Sequence, residues 1–143
     1  MSAAEKDLPG WARRMLAEAR VGHLGVVDDR DRPRVLPVTF VFHDGLLWSA
    51  VDEKPKRAPG KELARVRFLR RRPEATLTVD HYSEDWSALA WVQALGRVEL
   101  LATADEPEAV AALVTKYEPY REHPPPGPLI RLTPERFIVW RAS

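Results

Sequence analysis

Residues 33–52 read PRVLPVTFVFHDGLLWSAVD, and this stretch contains the alternation from which the fold is predicted. Apolar side chains recur at every second position from Leu36 to Phe42, which is the period of a β-strand with one buried face. The pair Asp44-Gly45 follows, a dipeptide typical of a tight hairpin turn, and a second apolar run begins directly after it. The stretch therefore predicts two antiparallel strands joined by a two-residue turn.

Apolar runs elsewhere in the chain predict further strands and a few helices. The other expected strands are residues 22–27, 75–80, 91–101 (bent at Gly96), 129–132 and 137–140, the last two as a closing hairpin. The expected helices are residues 9–19, 60–72 and 106–118. Six or seven strands, mostly in hairpin order, predict a mainly β protein with flanking helices: a small antiparallel barrel formed by residues 1–143 as a single domain.

Composition places the chain among ordinary globular proteins. It has 143 residues, 45% of them hydrophobic, and a formal net charge of +1, which is too small to attract nucleic acid over the whole surface. The absence of cysteine excludes disulfides, thiolate metal sites and a cysteine nucleophile. No run reaches the roughly 18 apolar residues of a membrane span, and the polar start lacks an apolar signal core, so a cytoplasmic location is expected.

Basic residues are concentrated in one segment. Nine of the 22 lysines and arginines fall between positions 54 and 72, where Glu62 is the single acid. The segment begins directly after a predicted strand, Pro55 stiffens it, and the helix expected from Gly60 presents an N-terminus that favours anions. Because lysine and arginine both bind phosphate, an anion site is predicted at Lys54, Lys56 and Arg57. The alternative is a solvated surface segment, which is how we interpret the arginines at 70–72.

Two hydroxyls interrupt the apolar strands beside this basic segment. Thr39 and Ser49 lie on neighbouring predicted strands, and together they are candidates for contact with the same anion. Either hydroxyl could instead satisfy a nearby backbone group, which is the more common role of a single hydroxyl in a strand.

Aromatic residues cluster between positions 81 and 91. Trp86 lies in a predicted loop, whereas Trp91 lies inside a strand and is interpreted as a packing residue in the core or in a dimer. His81, next to Asp80, could donate a proton, but a hydrogen-bonded turn residue is the favoured interpretation.

Familiar catalytic motifs are missing from the chain. It contains no G-x-S-x-G, H-E-x-x-H, P-loop or G-x-G-x-x-G pattern, and its four histidines have no metal-like spacing. Any chemistry is therefore expected to come from a bound cofactor.

Several short motifs occur in an order that resembles one superfamily. They are residues 22–25, 33–38, 54–56, 63–69 ahead of Pro73, 79–82, 85–86, 91–92, 116–117, 120–121 and 125–128. This set extends over residues 8–140 and resembles the pyridoxamine-phosphate-oxidase-like split β-barrel superfamily. Within it, the chain looks most like the actinobacterial branch of deazaflavin (coenzyme F420)-dependent enzymes.

The resemblance implies a homodimer of six-stranded antiparallel split β-barrels, of the FMN-binding split-barrel type, with two cofactor sites at the subunit interface. The cofactor ring would lie against the backbone of Val35, Pro37, Val38 and Thr39, and Trp86 of the partner subunit would cover it. The phosphate end would meet Ser49, Lys54, Lys56 and Arg57, and the negatively charged tail of the deazaflavin would meet Lys61 and Arg67. Phe68 stands where the family often has asparagine, so a carboxamide contact is lost there.

In function, the resemblance implies an oxidoreductase that uses reduced F420 as hydride donor to a small, conjugated organic substrate, with no catalytic residue assigned. An FMN-dependent oxidase or reductase is the first alternative. A cofactor-binding or storage protein without turnover is the second. Nucleic-acid binding through residues 54–72 is a third, which the small net charge and the resemblance disfavour.

Overall fold

The computed structural model describes residues 3–51 and 63–143, and its architecture is mainly β with flanking helices, as predicted. The strands are β1 (Gly22–Val27), β2 (Pro33–Val38), β3 (Val41–His43), β4 (Leu46–Ala50), β5 (Glu74–His81), β6 (Ala90–Leu101) and β7 (Leu129–Arg141). The helices are α1 (Ala3–Lys6), α2 (Gly10–Glu18), α3 (Ala64–Arg71), α4 (Pro107–Lys116) and α5 (Pro119–Glu122). Short 3₁₀ turns at Trp86–Ala88 and Thr103–Asp105 precede β6 and α4.

All seven strands form one antiparallel sheet in the order β2-β1-β5-β6-β7-β4-β3. Strands β2 and β3 follow one another in the chain, with only Thr39 and Phe40 between them, yet they lie at opposite edges of the sheet. The sheet must therefore curl until its two edges meet at this junction, which gives the predicted split barrel. The barrel has seven strands where the family resemblance implied six, and the expected strand over residues 33–42 is divided at Thr39 and Phe40 into β2 and β3.

The alternation and the turn predicted for residues 33–52 are both confirmed. Val38 and Phe40 are buried in the core, and Leu36 and Phe42 are half-buried against it. Asp44 and Gly45 have φ angles of 55° and 74°, the positive values that a two-residue hairpin turn between twisted strands requires.

The predicted closing hairpin of residues 129–132 and 137–140 is wrong. These residues belong to the single strand β7, which pairs with β6 along its whole length. Residues 133–136 contain a proline, which suggested a turn, but Pro134 lies at an irregularity of the ladder, where a missing backbone N–H is tolerated.

A β-bulge bends the β6–β7 pair at Gly96, as the sequence predicted. Leu95 pairs with Arg136 whereas Gly96 pairs with Pro134, so β7 carries one extra residue at this point. A side chain at position 96 would collide with the carbonyl oxygen of Thr133. The bulge therefore requires glycine at this position.

The interior of the barrel is filled by side chains. Its core includes the fully buried Phe40 together with Leu24, Leu77, Val92 and Leu132. Helix α2 contributes Ala12 and Leu16 to this core, and a second apolar cluster joins α4 to β4 through Leu113 and Trp48. Because the interior is packed, a ligand must bind on the outer surface of the sheet. Among the helices of residues 3–51 and 63–143, none is long and apolar enough to cross a membrane.

Candidate functional site

A groove on the outer face of the sheet, which we call the outer groove, crosses four neighbouring strands. Its volume of about 620 Å³ falls within the range of small-molecule sites. The lining residues come from β1, β2, β5 and β6 and are His23, Gly25, Val35, Thr76, Thr78, Asp80, Trp91 and Gln93. A second depression of about 470 Å³ shares Gly25, Val35 and Thr76 with it and continues toward the bulge at Gly96.

The outer groove follows from the two-residue period of the strands. On β5, Leu77 and Val79 are buried inside the barrel, so the residues between and beside them point outward. The strand register then places His23 opposite Thr78, and Gly25 between Val35 and Thr76. A β-carbon at Gly25 would meet only Thr76 O, at 3.6 Å, so the glycine keeps the floor of the groove flat without being required for packing.

Strand β2, the predicted floor of the cofactor site, is a free edge of the described sheet. Among the described strands, only β1 pairs with it, so about half of its backbone N–H and C=O groups point away from the sheet. Val35 is 66% exposed and Pro37 is also exposed. Val38 is buried in the core, so only its backbone can face a ligand. The backbone of β2 is therefore accessible to a ligand.

The structure brings the two predicted hydroxyls together. The hydroxyl of Ser49 donates to the carbonyl oxygen of Thr39 at 2.7 Å, and the hydroxyl of Thr39 lies 2.8 Å from that of Tyr120. Ser49 is only 6% exposed. Ser49 thus has the backbone-satisfying role that the sequence left open as an alternative, whereas the Thr39 hydroxyl contacts a side chain. Contact of Ser49 with a phosphate stays a prediction.

A cluster that we call the junction clamp, formed by Lys116, Tyr117 and Tyr120, fixes the backbone between β2 and β3. The Tyr117 hydroxyl accepts from the N–H of Phe40 at 3.0 Å and lies 3.0 Å from the carbonyl oxygen of the same residue. The ammonium of Lys116 donates to that carbonyl oxygen at 2.8 Å. The sequence motif containing these residues contributed to the family resemblance, but no role was assigned to them, because their contacts are made across the fold.

The junction clamp also has unusual electrostatics. Burial and the nearby positive charge of Arg20 lower the pKa of Lys116 to about 8. Burial likewise raises the pKa of the Tyr117 hydroxyl above its ordinary value. The Lys116 ammonium lies 4.1 Å from the centre of the Phe40 ring, a cation–π contact that compensates part of its lost hydration.

An imidazole–carboxylate pair at one end of the outer groove was not identified from the sequence. Nδ1 of His23 lies 3.9 Å from Oδ1 of Asp80. His81, the proton donor considered from the sequence, instead lines a separate groove beside Trp11 and Arg141. Successive strand residues face opposite sides, so Asp80 and His81 cannot act together. The outward direction of Asp80 was readable from alternation, but the register that brings it to His23 was not.

Most of the predicted cationic contacts lie outside the described residues, namely those of Lys54, Lys56, Arg57 and Lys61. Arg67 is described, and its guanidinium donates two hydrogen bonds to Asp29, at 3.0 and 3.1 Å. Arg71 and Arg72 both pair with Asp31 at 3.0 Å. The arginines at 71 and 72 are exposed, as interpreted from the sequence, but they also join α3 to the β1–β2 turn.

The two tryptophans of the aromatic segment have different positions. Trp86 is 69% exposed, in a 3₁₀ turn whose N-cap, Asp85, accepts from the backbone N–H of Ser87. The hydrogen bonds from Ser87 lower the pKa of the Asp85 carboxyl. Trp91 lines the outer groove and is not a core residue, which removes one of the two packing roles interpreted from the sequence. Trp86 does not line the groove of its own subunit, so covering of the ring by the partner stays a prediction.

Comparison with known families identifies the fold family. Residues 11–137 match the model of the pyridoxamine 5′-phosphate oxidase family. The chain belongs to this family. The match covers the barrel from α2 to β7 and includes every strand of the outer groove. The superfamily to which the sequence was compared is therefore confirmed. A search of curated proteins gives no significant match to this family member.

Solved structures share the fold of this family member at low sequence identity. A FAD-binding protein from Mesorhizobium loti is 20% identical, with a TM-score of 0.69 over 100% of this chain and 96% of its own. An F420 reductase is 18% identical, with a TM-score of 0.64 over 91% of this chain and 98% of its own. A haem storage protein from Vibrio cholerae is 17% identical, with a TM-score of 0.70 over 92% of this chain and 94% of its own.

Proposed function

We propose that this member of the pyridoxamine 5′-phosphate oxidase family is an oxidoreductase that uses reduced F420 as hydride donor to a small, conjugated organic substrate. The observation that carries the proposal is the outer groove, which runs along the free edge strand β2 in a chain of this family. The F420 reductase with the same fold supports the choice of cofactor.

The residues of the outer groove fit a flat heteroaromatic ring. Gly25 and Val35 form a flat apolar floor, and Trp91 provides an aromatic side wall. Gln93, Thr76 and Thr78 supply amide and hydroxyl groups for the polar edge of a ring. When bound, the cofactor would supply the hydride, while the chain binds and orients the reactants and excludes water.

The contacts of the phosphate and the tail are part of the same proposal. Lys54, Lys56 and Arg57 follow β4 in the chain and would neutralise the phosphate, with Ser49 at the end of that strand. Lys61 and Arg67 would meet the acidic tail. Binding of the tail by Arg67 would have to replace its pair with Asp29, which is half exposed and therefore weak.

A second subunit would cover the outer groove. The outer face of β6 and β7 carries apolar side chains outside the described core that are half-buried or exposed, including Trp91, Leu95, Ile138 and Trp140. We propose that a second copy of the chain packs on this face and places Trp86 of the partner subunit over the ring.

Two other functions have specific support. An FMN-dependent oxidase or reductase would use the same groove, and the FAD-binding protein with this fold shows that the fold can hold a flavin. A storage protein without turnover is the other candidate, because His23 lines the groove and a haem storage protein shares the fold.

Titration of the purified protein with F420, FMN and haem tests these functions against one another. We expect F420 to bind with a Kd below about 100 μM, since weaker binding would be small for so large a ligand. A yellow as-purified protein would favour FMN, and a haem Soret band would favour storage. Rapid oxidation of reduced F420 on addition of a substrate would exclude storage. If F420 does not bind, the proposed function is wrong, and if FMN and haem do not bind either, the two alternatives are wrong as well.

Substitution of Val35 tests whether F420 binds in the outer groove. Val35→Asp places a charge on the floor, and we expect it to weaken F420 binding at least tenfold. Val21→Asp is the matched control, because Val21 is 47% exposed and does not line the groove. Both variants should keep the wild-type Tm within a few degrees, since surface substitutions change stability by about 0.5 kcal/mol or less. Equal affinities in the two variants would contradict the location of the site.

A further inference from the structure

We propose that His23 is the proton donor of the reaction and that Asp80 positions its imidazole. This inference rests on the proposed function and adds to it a substrate class: a carbon–carbon double bond conjugated to a carbonyl group. His23 lies beside the proposed cofactor floor, and no other described side chain of the groove is suited to donate a proton. The reduction itself requires a proton as well as a hydride.

His23 lies beside the strand on which the cofactor ring is proposed to bind. His23 lies in β1 directly opposite Pro37 of β2, at the roughly 5 Å spacing of antiparallel partners. It is therefore next to the strand on which the ring is proposed to lie, and two residues along from the flat floor at Gly25. Its Nδ1 lies 3.9 Å from Oδ1 of Asp80. Within the described residues, Nε2 of His23 has no hydrogen-bond partner, so this nitrogen is available to a ligand.

The other described side chains near the outer groove are poor candidates for the proton donor. Imidazole is the most common general acid, and of the eight described residues that line the outer groove only His23 and Asp80 carry an ionisable side chain. The neighbouring threonines, Gln93 and Trp91 do not. Other candidates face elsewhere: His81 lines a different groove, and the Lys116 ammonium is bound to the carbonyl oxygen of Phe40. Tyr82 lies outside the groove, with its hydroxyl on Glu84.

Reduction of the substrate requires a proton in addition to the hydride. A conjugated double bond gains two hydrogens. A C–H bond of reduced F420 breaks, and the hydride carries its electron pair to the β carbon of the substrate. The Nε2–H bond of His23 breaks, and the proton forms the new C–H bond at the α carbon. Reduced F420 also releases its ring N–H proton to water and leaves oxidised, the substrate leaves saturated, and water returns a proton to His23.

The test compares His23→Gln and Asp80→Asn with His81→Gln, the neighbouring histidine on the other groove. Cyclohex-2-enone serves as the probe substrate and reduced F420 as the donor. We expect His23→Gln to lower kcat about 100-fold while the Kd for F420 stays within twofold of wild type. We expect Asp80→Asn to lower kcat less than His23→Gln does and to leave the Kd for F420 within twofold of wild type, because the imidazole stays in the groove but loses the carboxylate beside it. His81→Gln should match wild type in both measurements.

A measurement without turnover checks the position of His23. Diethyl pyrocarbonate modifies accessible histidines, and mass spectrometry reports each site separately. We expect F420 to protect His23 at least fivefold and to leave His81 unprotected. Absence of protection, or an unchanged kcat in His23→Gln, would overturn the inference while leaving the proposed function intact if F420 binds and is oxidised. Failure of wild-type protein to bind F420 or to reduce the enone would overturn both.

Discussion

A few side chains hold the backbone at the junction between β2 and β3, where the sheet is split. Phe40 carries the junction into the core, and its backbone N–H and C=O are bound by Tyr117 and Lys116, not by a neighbouring strand. A buried backbone group without a partner costs about 1–3 kcal/mol, so the junction clamp replaces the ladder where the sheet is split. The sequence predicted the inward direction of Phe40 but could not identify partners that lie more than 70 residues away.

Substitution of Lys116 tests the electrostatics of the junction clamp. Its pKa is about 8 in the folded protein and 10.5 in the unfolded chain. Between these values the unfolded chain binds more protons than the folded protein, so stability should rise with pH. The cost of the buried charge is fully present below pH 8 and is relieved as the pH approaches 10.5. We expect wild-type protein to gain stability relative to Lys116→Met between about pH 7.5 and 9.5.

Urea unfolding at several pH values gives the free energy of unfolding for this comparison. The upper limit avoids ionisation of Tyr117, whose raised pKa acts in the opposite direction above pH 10. Lys6→Met is the matched control, because Lys6 is exposed. Parallel pH profiles for wild type and Lys116→Met would show that the Lys116 charge is not penalised by folding.

At the level of elements, the bulge in the β6–β7 pair depends on one glycine. Gly96→Ala would place a β-carbon against the backbone of Thr133, which cannot move without disturbing both strands. Overpacking of this kind costs about 1–3 kcal/mol, and we expect Tm to fall by at least about 4 °C. Gly10→Ala, where a β-carbon meets open space, should leave Tm unchanged or slightly raised. A wild-type Tm for Gly96→Ala in thermal unfolding would show that the bulge accommodates a side chain.

Elements were predictable where local chemistry determines them. Alternation identified the faces of β2, and Asp44-Gly45 identified the β3–β4 turn. The sequence failed for β7, because Pro134 signals a turn in isolation and a bulge only when β6 lies beside it. Register was equally inaccessible, since it depends on how complete strands pack. The pair of His23 and Asp80 was missed for that reason, whereas Val35 was placed correctly on the outer face.

At the scale of the whole molecule, the uncovered outer face predicts a dimer. We expect sedimentation equilibrium to give twice the 16.3 kDa mass of the chain. Trp140 is 43% exposed and pairs with Trp91 across the strands, so Trp140→Glu should place a charge in the interface and raise the dimer dissociation constant at least tenfold. Val21→Asp again serves as the control and should remain dimeric. A monomeric wild-type protein that still binds F420 would separate the cofactor site from any second subunit.

The order of the strands has a consequence for how the protein assembles during synthesis. The β3–β4 hairpin is made early, but in the sheet it joins the other strands only through β7, the last strand of the described chain. The hairpin must therefore wait for β7 while the ribosome completes the intervening residues. Such distant pairings slow folding and leave strand edges exposed in the meantime. Chaperone dependence of this chain should thus be greatest just before β7 leaves the ribosome.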